Sequence, residues 1–117
     1  MNKDRRRRLA LILEALLGMK VAIISGKQDA EKVRKLAEEA ECIADEEQEA
    51  VDSLPENLQF SERADNMNDN VTDIYDISAS IMEIADALDD PEDSVTEDEF
   101  DDAYSKIEGL IDDVSSR

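Results

Sequence analysis

The spacing of apolar residues along the chain predicts four helical stretches, and no alternating strand pattern is bounded by turn signals. Leu9, Ile12, Leu13, Leu16 and Leu17 recur at three-and-four spacing, which predicts a first helix over about Asp4 to Ile24. Ser25-Gly26 offers its stop, and Gly18 weakens its middle. Asp29 is placed to cap a second helix, about Ala30 to Leu54, with Val33, Leu36, Ala37, Ala40, Ile43, Ala44 and Val51 expected on its inward face. Pro55 ends that helix, because proline pushes the residue before it out of helical geometry. Ser61 caps the third, about Glu62 to Leu88, where Met67, Val71, Ile74, Ser78, Ile81, Ala85 and Leu88 alternate in steps of four and three. Ile77 and Ile84 widen this seam on one side, and Ser78 with Ala85 leaves room for a neighbouring helix to come close. After Asp89-Asp90-Pro91, Thr96 with Glu99 reads as a capping box and Val95 with Phe100 as a hydrophobic staple. They open a fourth helix with the stripe Phe100, Ala103, Tyr104, Ile107, Leu110, Ile111 and Val114, its first turn holding Glu97, Asp98 and Glu99 where the helix dipole favours negative charge.

These elements predict an all-α protein, a small antiparallel helical bundle of about four helices with a long central helical hairpin. Residues 1–117 are expected to form one domain: a basic, apolar N-terminal helix in 1–28, the hairpin in 29–90 and an acidic helix in 91–117. Apolar residues occupy several faces of the first helix, including Leu11, Met19, Val21, Ile23 and Ile24, more than one small bundle should bury. Leu9, Leu16, Ile23 and Ile24 are therefore expected to meet a second copy in a homodimer. In the connector, Leu54, Leu58 and Phe60 are expected to plug the end of the bundle, with Asn57 and Gln59 bonding exposed backbone groups.

Charge changes the picture from a plain bundle to a polarised one. Thirty-two acidic residues against thirteen basic ones give a formal charge of −19. Residues 1–37 hold ten Lys/Arg and four Asp/Glu, net +6, and the remaining eighty hold three and twenty-eight, net −25. Between Glu83 and Asp102, eleven of twenty residues are carboxylates, and no positive residue lies between Ala64 and Ser105. This balance disfavours direct contact with nucleic acid or an anionic membrane and favours basic partners. Arg5 to Arg8 could grip phosphates, but an arm paired with its own acidic bundle, or solvated, is the commoner outcome. The apolar run Leu9 to Ile24 is interrupted by Glu14 and Lys20 and falls short of the roughly 20 residues that span a bilayer, so neither export nor a membrane span is expected.

Candidate chemistry is sparse. The chain has no histidine and one cysteine, Cys42, so neither a cysteine–histidine zinc site nor a Cys-His nucleophile is available, and a reducing cytoplasm fits best. Cys42 is expected to be a small buried hydrophobe, since Glu39, Glu41, Asp45 and Glu46 deny it the basic surroundings of a reactive thiol. Loops counted from Asn66 or Asp89 do not supply the glycine and glutamate that an EF-hand requires. Paired carboxylates suited to glycoside cleavage lack an aromatic cleft to hold a sugar. In the connector, Ser61, Glu56 and Glu62 lack a histidine, lysine or oxyanion loop to activate a nucleophile. Neither catalysis, nor a metal, nor a cofactor is expected.

Glu46-Glu47-Gln48-Glu49-Ala50, Leu54-Pro55-Glu56-Asn57-Leu58-Gln59 and Ser61-Glu62-Arg63 resemble the central signature of a family of small acidic helical proteins of bacteriophages and integrative elements of Gram-positive bacteria. The resemblance covers roughly residues 1–90 and implies a helix–turn–helix around the signature. The family brings no activity to carry over, and the segment Gly18 to Gly26 and the helix after Pro91 depart from it. Such an origin, together with the acidic half, leads to the expectation of a non-enzymatic binding or inhibitor protein, an acidic nucleic-acid mimic that occupies the basic cleft of a host defence or DNA-handling protein. The residues expected to touch that partner are Glu83, Asp86, Asp89, Asp90, Glu92, Asp93, Glu97, Asp98, Asp101 and Asp102. The alternative is a structural or assembly protein acting through helical self-association, and acidity that serves only solubility is an equal competitor.

Overall fold

Each long helix begins where a side chain takes up a free backbone N–H. In the computed structural model, which describes residues 1–117, the elements are α1 (Lys3–Gly18), α2 (Lys20–Ile24), α3 (Ala30–Asp52), a single 3-10 turn at Glu56–Leu58, α4 (Glu62–Asp89) and α5 (Glu97–Ser116). Asn2 Oδ1 accepts from Arg5 N–H at 2.8 Å, Asp29 Oδ1 from Glu31 N–H at 3.0 Å, Ser61 Oγ from Ala64 N–H at 3.2 Å and Thr96 Oγ1 from Glu99 N–H at 3.1 Å. Three of these caps stand where the sequence places them, and Asn2 is an addition.

The expected first helix is two. Gly18, which costs more backbone entropy in a helix than any other residue, marks the break, and the Met19 N–H turns back to Leu16 O at 3.1 Å. Ile23 of α2, one heptad after Leu16, keeps to the inward face across the break and is fully buried. Gly26 then takes φ +74°, a left-handed conformation that glycine adopts at little cost, and releases the chain toward Asp29.

The four long helices form a ring in which α1 touches α3 and α5, and α4 touches α3 and α5. Neighbours run antiparallel. Arg5 and Arg8 of α1 meet Glu47 and Glu39 of α3, and Lys20 at the end of the first segment meets Glu97 at the start of α5. The result is a rod of 52 × 20 × 20 Å. Leu9, Ile12 and Leu16 of α1, Val33, Ala37, Ala40, Ile43 and Ala44 of α3, Ile74, Ile77, Ile81 and Ile84 of α4, and Phe100, Ile107, Ile111 and Val114 of α5 fill its axis. Alanines on α3 bring α4 close, and Ser78 Oγ of α4 donates to the Ala37 carbonyl at 2.8 Å, which satisfies the one hydroxyl on that seam.

Several expectations are corrected. Leu9, Leu16 and Ile23, each a heptad apart on one face, are fully buried in the chain's own core and so cannot form a dimer face, and Ile24 packs half-buried against that core. The apolar residues of this segment that stay outside are Leu11, Leu17 and Val21. Phe60 does not plug the bundle end. It stands 96 % exposed, because the 3-10 turn carries it past the core, while Leu54 and Leu58 are half-buried and Gln59 Nε2 donates to the Leu54 carbonyl at 3.0 Å. Cys42 is exposed, one residue round α3 from the buried Ile43. No helix is long and apolar enough to cross a membrane.

Candidate functional site

The ten acidic residues singled out from the sequence are all exposed. Because α4 ends where α5 begins and the two run antiparallel, the C-terminal turns of α4, the connector 90–96 and the first turns of α5 gather at one end of the rod. Val95 and Phe100, both buried, pin the connector. Asp90 Oδ1 accepts from Glu92 N–H at 2.9 Å and Asp93 Oδ1 from Ser94 N–H at 2.8 Å, which shapes the loop from within.

The structure divides the ten into two groups. Arg34 of α3 donates to Asp86 at 3.4 Å and to Asp89, and Lys20 reaches Asp101 at 2.9 Å and Glu97 at 3.5 Å. These bonds hold both cations above their ordinary pKa, Arg34 through Asp89 first and Lys20 through Asp101 first. Lys20 also lies 5.9 Å from the centre of the Phe100 ring. Glu83, Asp90, Glu92, Asp93, Asp98 and Asp102 have no cation beside them. Two cations thus clamp the acidic end to the bundle through one subset, and the other subset faces solvent with its charge uncompensated.

The opposite end holds a polar cleft of about 550 Å³ where the start of α1, the last turns of α3 and the first turns of α4 converge. Glu47 occupies a core position of α3, one step after Ala40 and Ala44 and one before Val51, and its side chain is fully buried. Both oxygens are engaged: Arg5 Nη2 donates to Oε1 at 3.1 Å and Asn70 Nδ2 to Oε2 at 3.1 Å. Arg117 extends the network, donating to Asp73 Oδ2 at 2.6 Å and to Asn70 Oδ1 at 3.4 Å. Arg5 Nε is buried without a partner. Arg63 and Asn66 line the rim from α4.

The N-terminal arginines are part of the bundle. Arg8 donates to Glu46 at 2.7 Å and to Glu39 at 3.0 Å, and these bonds, Glu46 first, hold its pKa well above the usual arginine range. Arg6 caps back on the Met1 carbonyl at 2.9 Å. Of the four, Arg7 has only an exposed, loose contact with Asp4 at 3.8 Å.

The chemistry of these groups is one of holding. Ser61 Oγ donates to Leu58 O at 2.7 Å while it caps α4, so it is committed to the turn. No three Asp, Glu or Cys side chains converge as a metal-ligand set. Glu47 and Asn70 were missed in the sequence, although each had a signal: Glu47 lies on the register Val33, Ala37, Ala40, Ala44, Val51, and Asn70 stands one heptad before Ile77 and two before Ile84. No family model, curated protein or solved structure matches this chain.

Proposed function

We propose that this chain is a non-enzymatic binding protein whose acidic end occupies a basic, nucleic-acid-type surface on another protein. The observation that carries the reading is the division of the acidic end. Two cations are spent on fastening it to the bundle, while Glu83, Asp90, Glu92, Asp93, Asp98 and Asp102 remain exposed and unpaired. A solvated face used only for solubility would not need that anchoring. Duplex DNA offers one negative charge per about 1.7 Å of axis, and a groove built to follow it attracts any rigid row of anions at long range. The resemblance to phage and integrative-element proteins directs the search to host proteins that handle or defend against DNA.

The test replaces the six free carboxylates by lysine in one variant and, in a second, replaces the clamped Asp86, Asp89, Glu97 and Asp101 by asparagine or glutamine. Each is immobilised and exposed to host lysate at low and high salt, and duplex DNA is then used as eluent. The wild type is expected to retain a DNA-binding protein and to release it to DNA and to salt, and the second variant, with its row of anions no longer fastened, to retain the same protein more weakly. Retention of that protein by the six-lysine variant, with helicity intact, overturns the reading. A second reading, an assembly protein acting through self-association, draws on the exposed Leu11, Leu17 and Val21.

A further inference from the structure

The polar cleft at the end of the rod away from the acidic loop is rich in hydrogen-bond donors. Its wall takes an arginine from each of three places in the fold: Arg5 of α1, Arg63 of α4 and Arg117 just beyond α5. Its buried carboxylate, Glu47, is fully engaged, one oxygen by Arg5 and the other by Asn70, and the Asn70 side-chain oxygen accepts from Arg117. The acceptors of the interior are thereby used, while donors remain. Arg5 bonds through Nη2 only, and its Nε is buried without an acceptor in a side chain that is 13 % exposed. Arg63 makes no ion pair within the chain. The wall carries three guanidinium groups against two carboxylates, Glu47 and the exposed Glu62, in a chain whose net charge is −19.

We propose that this cleft binds a small organic anion, a carboxylate or a phosphate monoester that carries an apolar body. A guanidinium grips either head group through paired N–H donors. Arg63, exposed and uncommitted on the wall, is the group that takes the head group, with Asn66 one turn further along α4. Arg5 and Arg117 are fixed in advance by Glu47 and by Asp73, at 3.1 and 2.6 Å, so that part of the wall needs no reordering when the anion enters. The apolar body follows from the rest of the lining: Ala50 near the end of α3, Leu54 just past it and the buried Met67 of α4. The volume of about 550 Å³ falls in the range of small-molecule sites and exceeds what a bare phosphate fills. A cation is disfavoured, because both oxygens of Glu47 are already taken and three guanidinium groups line the same cleft. The strong net negative charge keeps large polyanions away, which restricts the ligand to a small one of low charge. The buried Glu47 acquires a purpose here, since it holds Arg5 at the cleft. This site stands without the acidic-end reading, and either can fail alone.

The test titrates the full chain with phenyl phosphate and, separately, with benzoate, with benzamide as the neutral control, and follows backbone amide shifts by NMR. One saturable site with a Kd of about 1 mM or tighter is expected, its shifts confined to residues 47–54 and 62–70 and the two termini. Saturation by either anion supports the proposal and identifies the head group. Arg63→Gln, at an exposed position, should keep the helicity and weaken binding by about tenfold, whereas Arg7→Gln, outside the cleft, should leave it unchanged. Four results overturn the proposal: no saturable shift with either anion, equal binding of benzamide, undiminished binding by Arg63→Gln, or equal weakening by Arg7→Gln.

Discussion

Arg5 and Glu47 are 42 residues apart in the chain and 3.1 Å apart in the fold, a guanidinium on α1 closing over a carboxylate of α3 that has no exposure of its own. A buried pair of this kind adds little net stability against apolar substitutes but is costly to break from one side. Glu47→Leu should therefore destabilise the bundle by about 3 kcal/mol, because it leaves Arg5 charged and enclosed. Arg5→Met with Glu47→Leu should recover most of that loss. Urea midpoints at constant m-value check both; a double variant as unstable as Glu47→Leu alone would show that the pair is not the cause.

The Ser78 hydroxyl bonded to the Ala37 carbonyl joins α4 to α3 in the buried interior. Ser78→Ala removes one hydrogen bond and should cost about 1 kcal/mol. Ser78→Leu must push the helices apart and should cost about 3 kcal/mol. The order of the two thermal midpoints is the check, and a Leu variant at least as stable as the Ala variant would mean that the seam has slack.

Gly26 and Gly109 differ in what their backbones require. At φ +74°, Gly26→Ala should cost about 1 kcal/mol. Gly109 lies inside α5 with open space around it, so Gly109→Ala should gain about 0.8 kcal/mol through helix propensity alone. Denaturant unfolding of the two single variants should show shifts of opposite sign.

Three groups titrate late. Tyr75 is raised above the ordinary tyrosine value by its hydrogen bond to Asp45, Tyr104 by burial and then by Glu108 and Glu14, and Lys20 by Asp101. In each case the protonated form is favoured by the fold, so its stabilising share is fully present below the unfolded pKa of about 10 and is lost as pH rises through the raised folded value. Unfolding free energy should thus be insensitive to these groups at neutral pH and fall in the alkaline range. Tyrosinate absorbance followed beside helicity tests this; ionisation of both tyrosines at the free-tyrosine pKa in the intact fold would contradict it.

How much of this was legible depended on how local the cause was. Asp29, Ser61 and Thr96 act on backbone groups two or three residues away, and all three caps and the seams of α3, α4 and α5 could be read directly. The break at Gly18 was visible only as a weakness, because a glycine lowers helix propensity without deciding whether the helix opens there. Phe60 and Cys42 were misjudged for a related reason: an apolar type near a core does not say which way its backbone aims it. Most telling is Glu47. A carboxylate on a core register has no local justification, since its partners, Arg5 and Asn70, come from two other helices. At the acidic end the residues were legible but their division was not, as Arg34 and Lys20 reach them across the bundle from α3 and from the α1–α2 segment.

The turn between Ser53 and Ser61 joins the two longest helices, and α3 and α4 share the most extensive contact in the molecule. Loop-closure entropy grows only slowly with length, so contacts this extensive between sequence neighbours offset the closing of that turn early in folding. A lesion in the Ala37–Ser78 seam should therefore slow folding, whereas one at the Arg5 clasp should mainly hasten unfolding, and the two arms of a denaturant chevron tell these apart.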